Sequence, residues 1–245
     1  MKQNILLLVE GMEDAVFIRH CIKEWFPVVS DSLIIYNPDA DTSKSVKNPT
    51  DGQALKSDII IFTTNSQDKL TFWFKPPGVA RQILDVRPTM KVLVVFDADR
   101  PDTTQDPQNK QNRGVAAKRS FIIQRASSVS VQLSEEQIFL LPDNATNGTL
   151  EDLLKSCIPD EHSSLLHCWQ SYADCLRSSG YTTPSDKTML FAYAEVNTTY
   201  NNAFGNKRNY QDSNHWNIDH ATKHLNPLHT FLKKHFSESQ QETTP

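Results

Sequence analysis

The sequence lacks the features that define several large classes of protein. Its charge is nearly balanced, with 25 basic and 29 acidic residues, so no overall basic field indicates a polyanionic partner. A nucleic-acid enzyme remains allowed, because acids can gather at a metal site while basic residues cluster elsewhere. No apolar run reaches the roughly 18 to 20 residues of a membrane-spanning helix, so we expect no membrane partner. The Gly-x-x-x-x-Gly-Lys-Ser/Thr sequence of a P-loop is also absent.

The four cysteines carry no sign of a zinc site. None forms a Cys-x-x-Cys pair, and the intervals between the cysteines and nearby histidines fit no standard zinc finger. Cys168 and Cys175 have apolar neighbours on a predicted helix, and we expect them to be buried small hydrophobic residues. The N-terminus runs directly into a predicted strand without a charged-then-apolar leader. We therefore expect a cytoplasmic protein with reduced thiols.

One acidic stretch organises the rest of the chain. The apolar run Val92 to Phe96 predicts a strand covered on both faces, and it ends in Asp97-Ala98-Asp99. Ligands of parallel α/β sheets bind beyond the carboxyl ends of the strands. Two carboxylates so close together repel unless a cation lies between them, and hard oxygen ligands favour Mg²⁺, Mn²⁺ or Ca²⁺. A helix N-cap or a turn would explain the same aspartates.

A second strand also ends in acids. Asn4 to Val9 predicts a strand that is followed by Glu10 and Gly11, and helical spacing then continues to a stop at Pro27. Glu10 at the strand tip and Asp14 in the first helical turn face the mouth of the same turn and can converge. The helix dipole alone would account for Asp14, but it does not account for Glu10.

A third acidic segment follows the predicted strand Gln137 to Pro142. A polar loop leads into a helix that Thr149 can cap, and Glu151 and Asp152 lie in its first turn. The helix dipole favours acids at these two positions, so each could serve the helix alone. If the third strand end lies beside the other two, the same acids complete a ring of carboxylates. Such a ring is the ligand set of two-metal phosphoryl transfer.

Basic residues follow the Asp-x-Asp pair. Arg100 begins a polar loop beside the expected site, and a basic helix after it carries Arg113 and Lys118. These three residues are our candidates for contacts with phosphate or nucleic acid. A solvated helix face would explain the same charges.

The remaining pattern predicts a core with a helical appendage. We predict further strands at 33–36, 59–63 and 70–74, the last two as a hairpin or as two strands across a turn, and a helix at 79–86. The aromatic group 72–74 could stack on bases, but core packing is the interpretation we favour. Helical spacing recurs at 163–178, at 187–200 and from 225. The predicted domains are a catalytic core at 1–155 with an insertion at about 37–75, a helical part at 156–236 that packs on the core, and a disordered tail at 237–245.

At these motifs the sequence resembles the Toprim domain, the catalytic module of type IA and type II topoisomerases, bacterial primases and OLD-family nucleases. The shared features are the Glu-Gly turn in Val9 to Asp14 and the Asp-x-Asp in Val94 to Asp99. A wider match covers most of the chain and is similar to a small bacterial family of stand-alone Toprim-like proteins of undefined activity, related to the OLD nucleases. That match includes Leu141-Pro142-Asp143-Asn144, Gly148 to Leu154, Lys187 and Leu225-Asn226-Pro227-Leu228.

The resemblance implies a Rossmann-like, mostly parallel sheet flanked by helices, with a mainly helical C-terminal part. It also implies a site for Mg²⁺ or Mn²⁺. The metal ligands implied by it are Glu10, Asp14, Asp97, Asp99 and Glu151, with Asp152 beside them, and the catalytic residues are Glu10, Asp97, Asp99 and Lys187. In this set Lys187 corresponds to the distal lysine that assists the transition state in OLD nucleases.

We therefore expect a metal-dependent nuclease that hydrolyses phosphodiester bonds. Nucleic acid is the expected partner, with DNA favoured over RNA, and a homodimer is left open. Two alternatives remain. One is a non-catalytic or partner-activated regulatory or binding module that works with a separate ATPase, because OLD nucleases carry an ATPase and this sequence has no P-loop. The other is a small-molecule phosphohydrolase.

Overall fold

Five parallel strands form one sheet at the centre of the molecule. A computed structural model describes residues 4–27, 33–37, 57–101, 113–197, 200–201, 207–208, 210 and 213–237. The strands, in the spatial order β2-β3-β1-β4-β5, are β1 (Ile5–Val9), β2 (Leu33–Tyr36), β3 (Ile59–Thr63), β4 (Lys91–Asp97) and β5 (Ile138–Leu141). A separate antiparallel pair joins β6 (Tyr200–Asn201) to β7 (Lys207–Arg208). The predicted α/β class, a parallel sheet flanked by helices, is confirmed.

Helices cover both faces of the sheet because successive strand residues point to opposite sides. The helices are α1 (Met12–Trp25), α2 (Leu70–Phe74), α3 (Val79–Val86), α4 (Val115–Ser127), α5 (Leu150–Ser156), α6 (Ser163–Ser178), α7 (Asp186–Val196) and α8 (Asn226–Ser237). Leu7 and Val95 face a core formed with α1, α5, α7 and α8. Leu8 and Val94 face a second core formed with α2, α3 and α4.

The sheet order brings two acidic strand ends together. β1 lies between β3 and β4, and its register with β4 pairs Leu8 with Val94 and Val9 with Val95. Glu10 and Asp97 therefore follow adjacent strands at the same edge. β5 extends the sheet on the far side of β4, and its last residue, Leu141, pairs with Asp97. The edge formed by the carboxyl ends of β1, β4 and β5 is called the acidic edge below.

The predicted hairpin at 59–74 is wrong. β3 pairs in parallel with β1 and β2, so both of its edges are already occupied, and residues 70–74 form α2 instead of a strand. Leu70, Trp73 and Phe74 are buried, while Phe72 is 61% exposed. The spacing i, i+3, i+4 places the three buried residues on one helical face. Core packing is thus confirmed for Trp73 and Phe74 and does not hold for Phe72.

The helical C-terminal part shares a core with the sheet. Leu190 of α7 and Leu228 of α8 belong to the same buried cluster as Leu7 of β1. β3 lies within the range predicted as an insertion, yet it is an inner strand of the sheet; residues 38–56 of that range are outside the described residues, as are 102–112 and the tail at 238–245. Within the described part of the chain, no helix is long and apolar enough to cross a membrane.

Candidate metal centre

Backbone hydrogen bonds hold the three acidic segments against one another. Ala98 donates its N–H to the carbonyl of Leu141 at 3.0 Å, and Asp99 donates to the carbonyl of Gly148 at 2.8 Å. The carbonyl of Ala98 in turn accepts from the N–H of Gly114 at 2.8 Å. The Asp-x-Asp segment is thereby joined both to the loop before α5 and to the start of α4.

Asp14 lies on α1 beneath the turn that follows β1. Its Oδ2 accepts the backbone N–H of Gly11 at 2.7 Å, and the residue is 8% exposed. A Cβ atom at position 11 would lie 3.1 Å from that oxygen, so glycine allows the close approach. Burial first, and then repulsion by Glu10 and Glu151, raise the pKa of Asp14 to about 7.

Asp97 ends β4 and faces the N-terminus of α5. Its Oδ1 accepts the backbone N–H of Leu150 at 2.7 Å, a hydrogen bond that joins the second acidic segment to the third. Burial, followed by the charges of Asp14, Glu10 and Glu151, raises the pKa of Asp97 well above its usual value. The same interactions show that Glu151 lies within electrostatic range of both Asp14 and Asp97.

Lys118 binds the acids of the first two motifs. Its ammonium Nζ lies 2.6 Å from Asp99 Oδ2 and 3.3 Å from Glu10 Oε1. The Lys118 side chain is fully buried, whereas those of Glu10 and Asp99 are 24% and 30% exposed. Burial raises the pKa of Glu10; Lys118 opposes this shift, and Asp99 adds to it. The sequence predicted a phosphate contact for Lys118, and the structure places it beneath the acids instead.

Asp152 is engaged at the start of α5. Its Oδ2 accepts the N–H of Thr149 at 3.0 Å, and its Oδ1 lies 2.5 Å from a guanidinium nitrogen of Arg100 and 3.3 Å from Lys155 Nζ. A Cβ atom at position 148 would lie 2.7 Å from Asp152 Oδ2, so glycine at this position leaves room for the carboxylate. Asp152 thus stabilises the first turn of α5 and an ion-pair group at the rim of the acidic edge. Its position fits the helix role that the sequence left open.

Lys187 and Arg113 have no described contact with these acids. Lys187 lies exposed in the first turn of α7, and its neighbour Asp186 pairs with Lys155 at 2.8 Å. Arg113 lies half-buried immediately before α4. Three residues were predicted to contact phosphate. Of these, Arg100 pairs with an acid at the rim of the site, and Lys118 pairs with an acid in its interior.

The donor set fits a divalent cation in its chemistry. Burial raises the pKa values of Glu10, Asp14 and Asp97, and a neighbouring carboxylate adds to each of these shifts; a divalent ion would relieve that repulsion. In their present rotamers, no group of three or more Asp, Glu, His or Cys side chains among the described residues is arranged to hold an ion. One oxygen each of Glu10 and Asp99 contacts Lys118, and one oxygen each of Asp14 and Asp97 accepts a backbone N–H.

Two lysines of the site had roles that were not predicted. Lys118 precedes Phe121 and Ile122 by three and four residues, a spacing that puts all three on the buried face of α4. A charge on an apolar face must be paired, and that signal was present in the sequence. Lys155 joins Asp152 to Asp186 across α5 and α7. Pairing between α5 and α7 depends on tertiary packing, and no local pattern indicates it.

Comparison with known proteins gives one result. The model of a family described as "Protein of unknown function (DUF3226)" matches residues 4–237 of the 245-residue chain. No curated protein and no solved structure matches the chain.

Proposed function

The chain belongs to the DUF3226 family, whose function is unknown, and we propose that it is a Mg²⁺- or Mn²⁺-dependent nuclease acting at the acidic edge. The substrate in this proposal is a phosphodiester bond of nucleic acid, with DNA favoured over RNA. One observation carries the proposal: Glu10, Asp14, Asp97, Asp99 and Glu151 arrive from three separate strand ends and meet at one edge of the sheet.

Caps and turns do not explain this convergence. An acid in a first helical turn gains from the helix dipole, and that would suffice for Asp14 or Glu151 alone. It does not explain why Asp97 lies beside both of them, since mutual repulsion and burial make charged Asp97 costly. Clustered acids that oppose folding are typical of sites whose cation is supplied from solution. The resemblance to Toprim nucleases supports the same interpretation.

Each part of the acidic edge has a role in this proposal. A bound Mg²⁺ or Mn²⁺ ion would activate water and neutralise charge on the phosphate. Asp97 is oriented by the N–H of Leu150, and Asp14 by the N–H of Gly11. Arg100, which is 63% exposed on its side chain, lies at the rim where a phosphate backbone would approach.

A cleavage assay tests the proposal. The purified chain is incubated with single-stranded, duplex and supercoiled DNA and with RNA, in Mg²⁺, in Mn²⁺ and in EDTA. We expect cleavage that requires the metal and that falls at least about 100-fold in Asp97→Asn, which keeps the acceptor for Leu150 but removes the charge. Cleavage that persists in EDTA or in Asp97→Asn would contradict the proposal. Turnover of nucleotides but not of polymers would identify a small-molecule phosphohydrolase instead.

A second candidate function is a module that becomes active only with a separate ATPase. The observation that favours it is the exposed surface of α6, in which only Ala173 of sixteen residues is buried. Cys168 and Cys175 are both exposed there, so their predicted burial is wrong. Leu166 and Trp169 on this helix are partly buried against the core. Under this function, the isolated chain binds Mn²⁺ but leaves every nucleic acid intact until the ATPase is added.

We also propose a cytoplasmic location. Cys21 and Cys157 are free thiols buried in the core around α1 and α5, which is consistent with a reducing compartment. Labelling of the thiols in freshly lysed cells tests this proposal, because four reduced cysteines per chain are expected.

A further inference from the structure

Lys118 has an unusual environment for a lysine. Its side chain is completely buried in α4, and its ammonium contacts Asp99 at 2.6 Å and Glu10 at 3.3 Å. Taking an ammonium out of water costs several kcal/mol unless carboxylates compensate it closely. The two acids that compensate Lys118 come from the ends of β4 and β1. The lysine therefore joins the two motifs that define the acidic edge.

The backbone around Lys118 fixes this position. Gly114 donates its N–H to the carbonyl of Ala98, and its own carbonyl accepts the N–H of Lys118 at 2.8 Å. Asp99 has a φ of 58°, a left-handed conformation, and its N–H is held by Gly148. The start of α4 and the Asp-x-Asp segment are thus directly connected, and a one-turn step along α4 places Lys118 under Asp99.

The acids of the edge divide into two groups by their partners. Glu10 and Asp99 share the cation of Lys118. Asp14, Asp97 and Glu151 interact with one another, and the described contacts give none of these three an ion pair with Lys or Arg. Glu10 lies between the groups, since its charge also acts on Asp14 and Asp97.

One position cannot hold both Lys118 and a metal ion. A divalent ion bound to Asp99 Oδ2 and Glu10 Oε1 would lie against the ammonium that already contacts these atoms, and the two cations would repel strongly in a buried setting. The Lys118 side chain exposes no surface, and Glu10 and Asp99 are the acids that its ammonium contacts. The Lys118 ammonium therefore occupies the position between Glu10 and Asp99.

We propose that Lys118 takes the place of a second divalent ion, so that the centre binds one ion, at Asp14, Asp97 and Glu151. This inference rests on the proposed function. In it, Lys118 is a positioning residue that orients Glu10 and Asp99 and balances part of their charge. Asp99 is then a partner of Lys118 and not a metal ligand, which departs from what the Toprim resemblance implies.

Two isosteric variants of the Asp-x-Asp pair test the inference. Mn²⁺ binding is measured by electron paramagnetic resonance on wild type, Asp97→Asn and Asp99→Asn. We expect one Mn²⁺ per chain in wild type, and an affinity loss in Asp97→Asn that exceeds the loss in Asp99→Asn by at least about tenfold. Asparagine keeps an oxygen for Lys118 and tolerates the positive φ at position 99. Two ions in wild type, or equal losses in the two variants, would overturn the inference.

A lysine variant gives an independent readout. Lys118→Met removes the charge and keeps the apolar stem; we expect the freed pair Glu10 and Asp99 to bind a second Mn²⁺. Lys234→Met is the matched control, because Lys234 also loses an ion pair, with Glu136 at 2.7 Å, but at the opposite edge of the sheet. The control should still bind one ion. If Lys118→Met does not fold, the comparison of Asp97→Asn with Asp99→Asn decides alone.

The outcomes separate this inference from the proposed function. One ion in both wild type and Lys118→Met, lost in Asp97→Asn, would leave the metal centre intact and reject the role of Lys118. Two ions in wild type would reject it in the same way. No Mn²⁺ binding to wild type or any variant would reject the metal centre itself, and the inference with it.

Discussion

Asp14 shows how single residues of the acidic edge oppose folding. It is 8% exposed, and its pKa of about 7 lies above the ordinary aspartate value because of burial and the charges of Glu10 and Glu151. Folding raises the pKa of such an acid. At a pH between its unfolded-state and folded-state pKa values, the acid is protonated in the folded protein and ionised in the unfolded chain. Its contribution to stability is present at low pH and declines as the pH rises to about 7.

Asp14→Asn is expected to remove this pH dependence. In EDTA, the free energy of unfolding of wild type should fall relative to the variant as the pH rises from about 4 to about 7, and then level off. The total change is of the order of 4 kcal/mol. Asparagine keeps an acceptor for the N–H of Gly11, so the local hydrogen bond survives. Urea unfolding at a series of pH values measures the difference.

Asp143→Asn provides a control of opposite sign. Burial raises the pKa of Asp143, but the hydrogen bonds that it accepts from Ala145 and Thr146 together outweigh burial and hold the pKa below its usual value. Wild type should be more stable than this variant at neutral pH and should lose that advantage as the pH falls through the acid range. If the difference in the free energy of unfolding between wild type and Asp14→Asn does not vary with pH, our explanation for Asp14 is wrong.

Some of the site residues could be predicted from the sequence. Asp97 and Glu10 were predictable because each ends an apolar strand, and strand ends meet at one edge of a parallel sheet. The burial of Lys118 was predictable from its spacing to Phe121 and Ile122, but its partners were not. Those partners depend on the register between β1 and β4, which no local pattern determines.

At the scale of secondary-structure elements, the first turn of α5 separates two adjacent acids. Glu151 acts electrostatically on Asp14 and Asp97, whereas Asp152 caps its own helix at the N–H of Thr149 and pairs with Arg100. Sequence alone gave both acids the same two candidate roles. The direction of each side chain depends on how α5 is oriented after β5.

Neutral variants distinguish the two acids of α5. We expect Glu151→Gln to weaken Mn²⁺ binding at least about tenfold, since it removes a candidate ligand. We expect Asp152→Asn to change Mn²⁺ affinity much less and to lower the free energy of unfolding by about 0.5 to 1 kcal/mol, because a charge leaves the N-terminus of α5. Calorimetric titration and urea unfolding measure these effects. A loss of affinity in Asp152→Asn equal to that in Glu151→Gln would show that Asp152 is a ligand.

Several helices and strands were predictable from their pattern of apolar residues. The strands β1 and β4 and the helix α1 follow from their apolar runs and periodicity. The segment 70–74 was assigned wrongly because four of its five residues are aromatic or β-branched, a composition that favours a strand. Tertiary structure decided otherwise, since β3 has no free edge.

At the scale of the whole molecule, the sheet and the C-terminal helices share one hydrophobic cluster, and we expect them to unfold together. Leu228 and Leu232 of α8 are fully buried in the cluster that contains Val9 and Val95, whose strands carry the acidic edge. The sequence placed a boundary near residue 155 because helical spacing replaces alternating strands there. The sequence also predicted that the helical part packs on the core, but composition does not determine which residues of the two parts make contact.

Leu228→Ala is expected to destabilise the sheet as well as α8. A buried leucine replaced by alanine costs about 2 to 5 kcal/mol. Far-UV circular dichroism and tryptophan fluorescence should show a single coincident transition at lower urea. Lys233→Ala, at an exposed position of the same helix, should change the free energy of unfolding by less than about 0.5 kcal/mol. Two separate transitions, with only one shifted by Leu228→Ala, would show that the helical part is an independent domain.

We propose that the acidic edge holds a divalent ion at carboxylates from three strand ends. Anomalous diffraction from crystals soaked in Mn²⁺ would locate this ion. We predict one peak, with oxygens of Asp97, Asp14 and Glu151 about 2.0 to 2.6 Å away and Lys118 still bound to Asp99. The absence of a peak at these carboxylates, in crystals where the edge is open to solvent, would contradict the account.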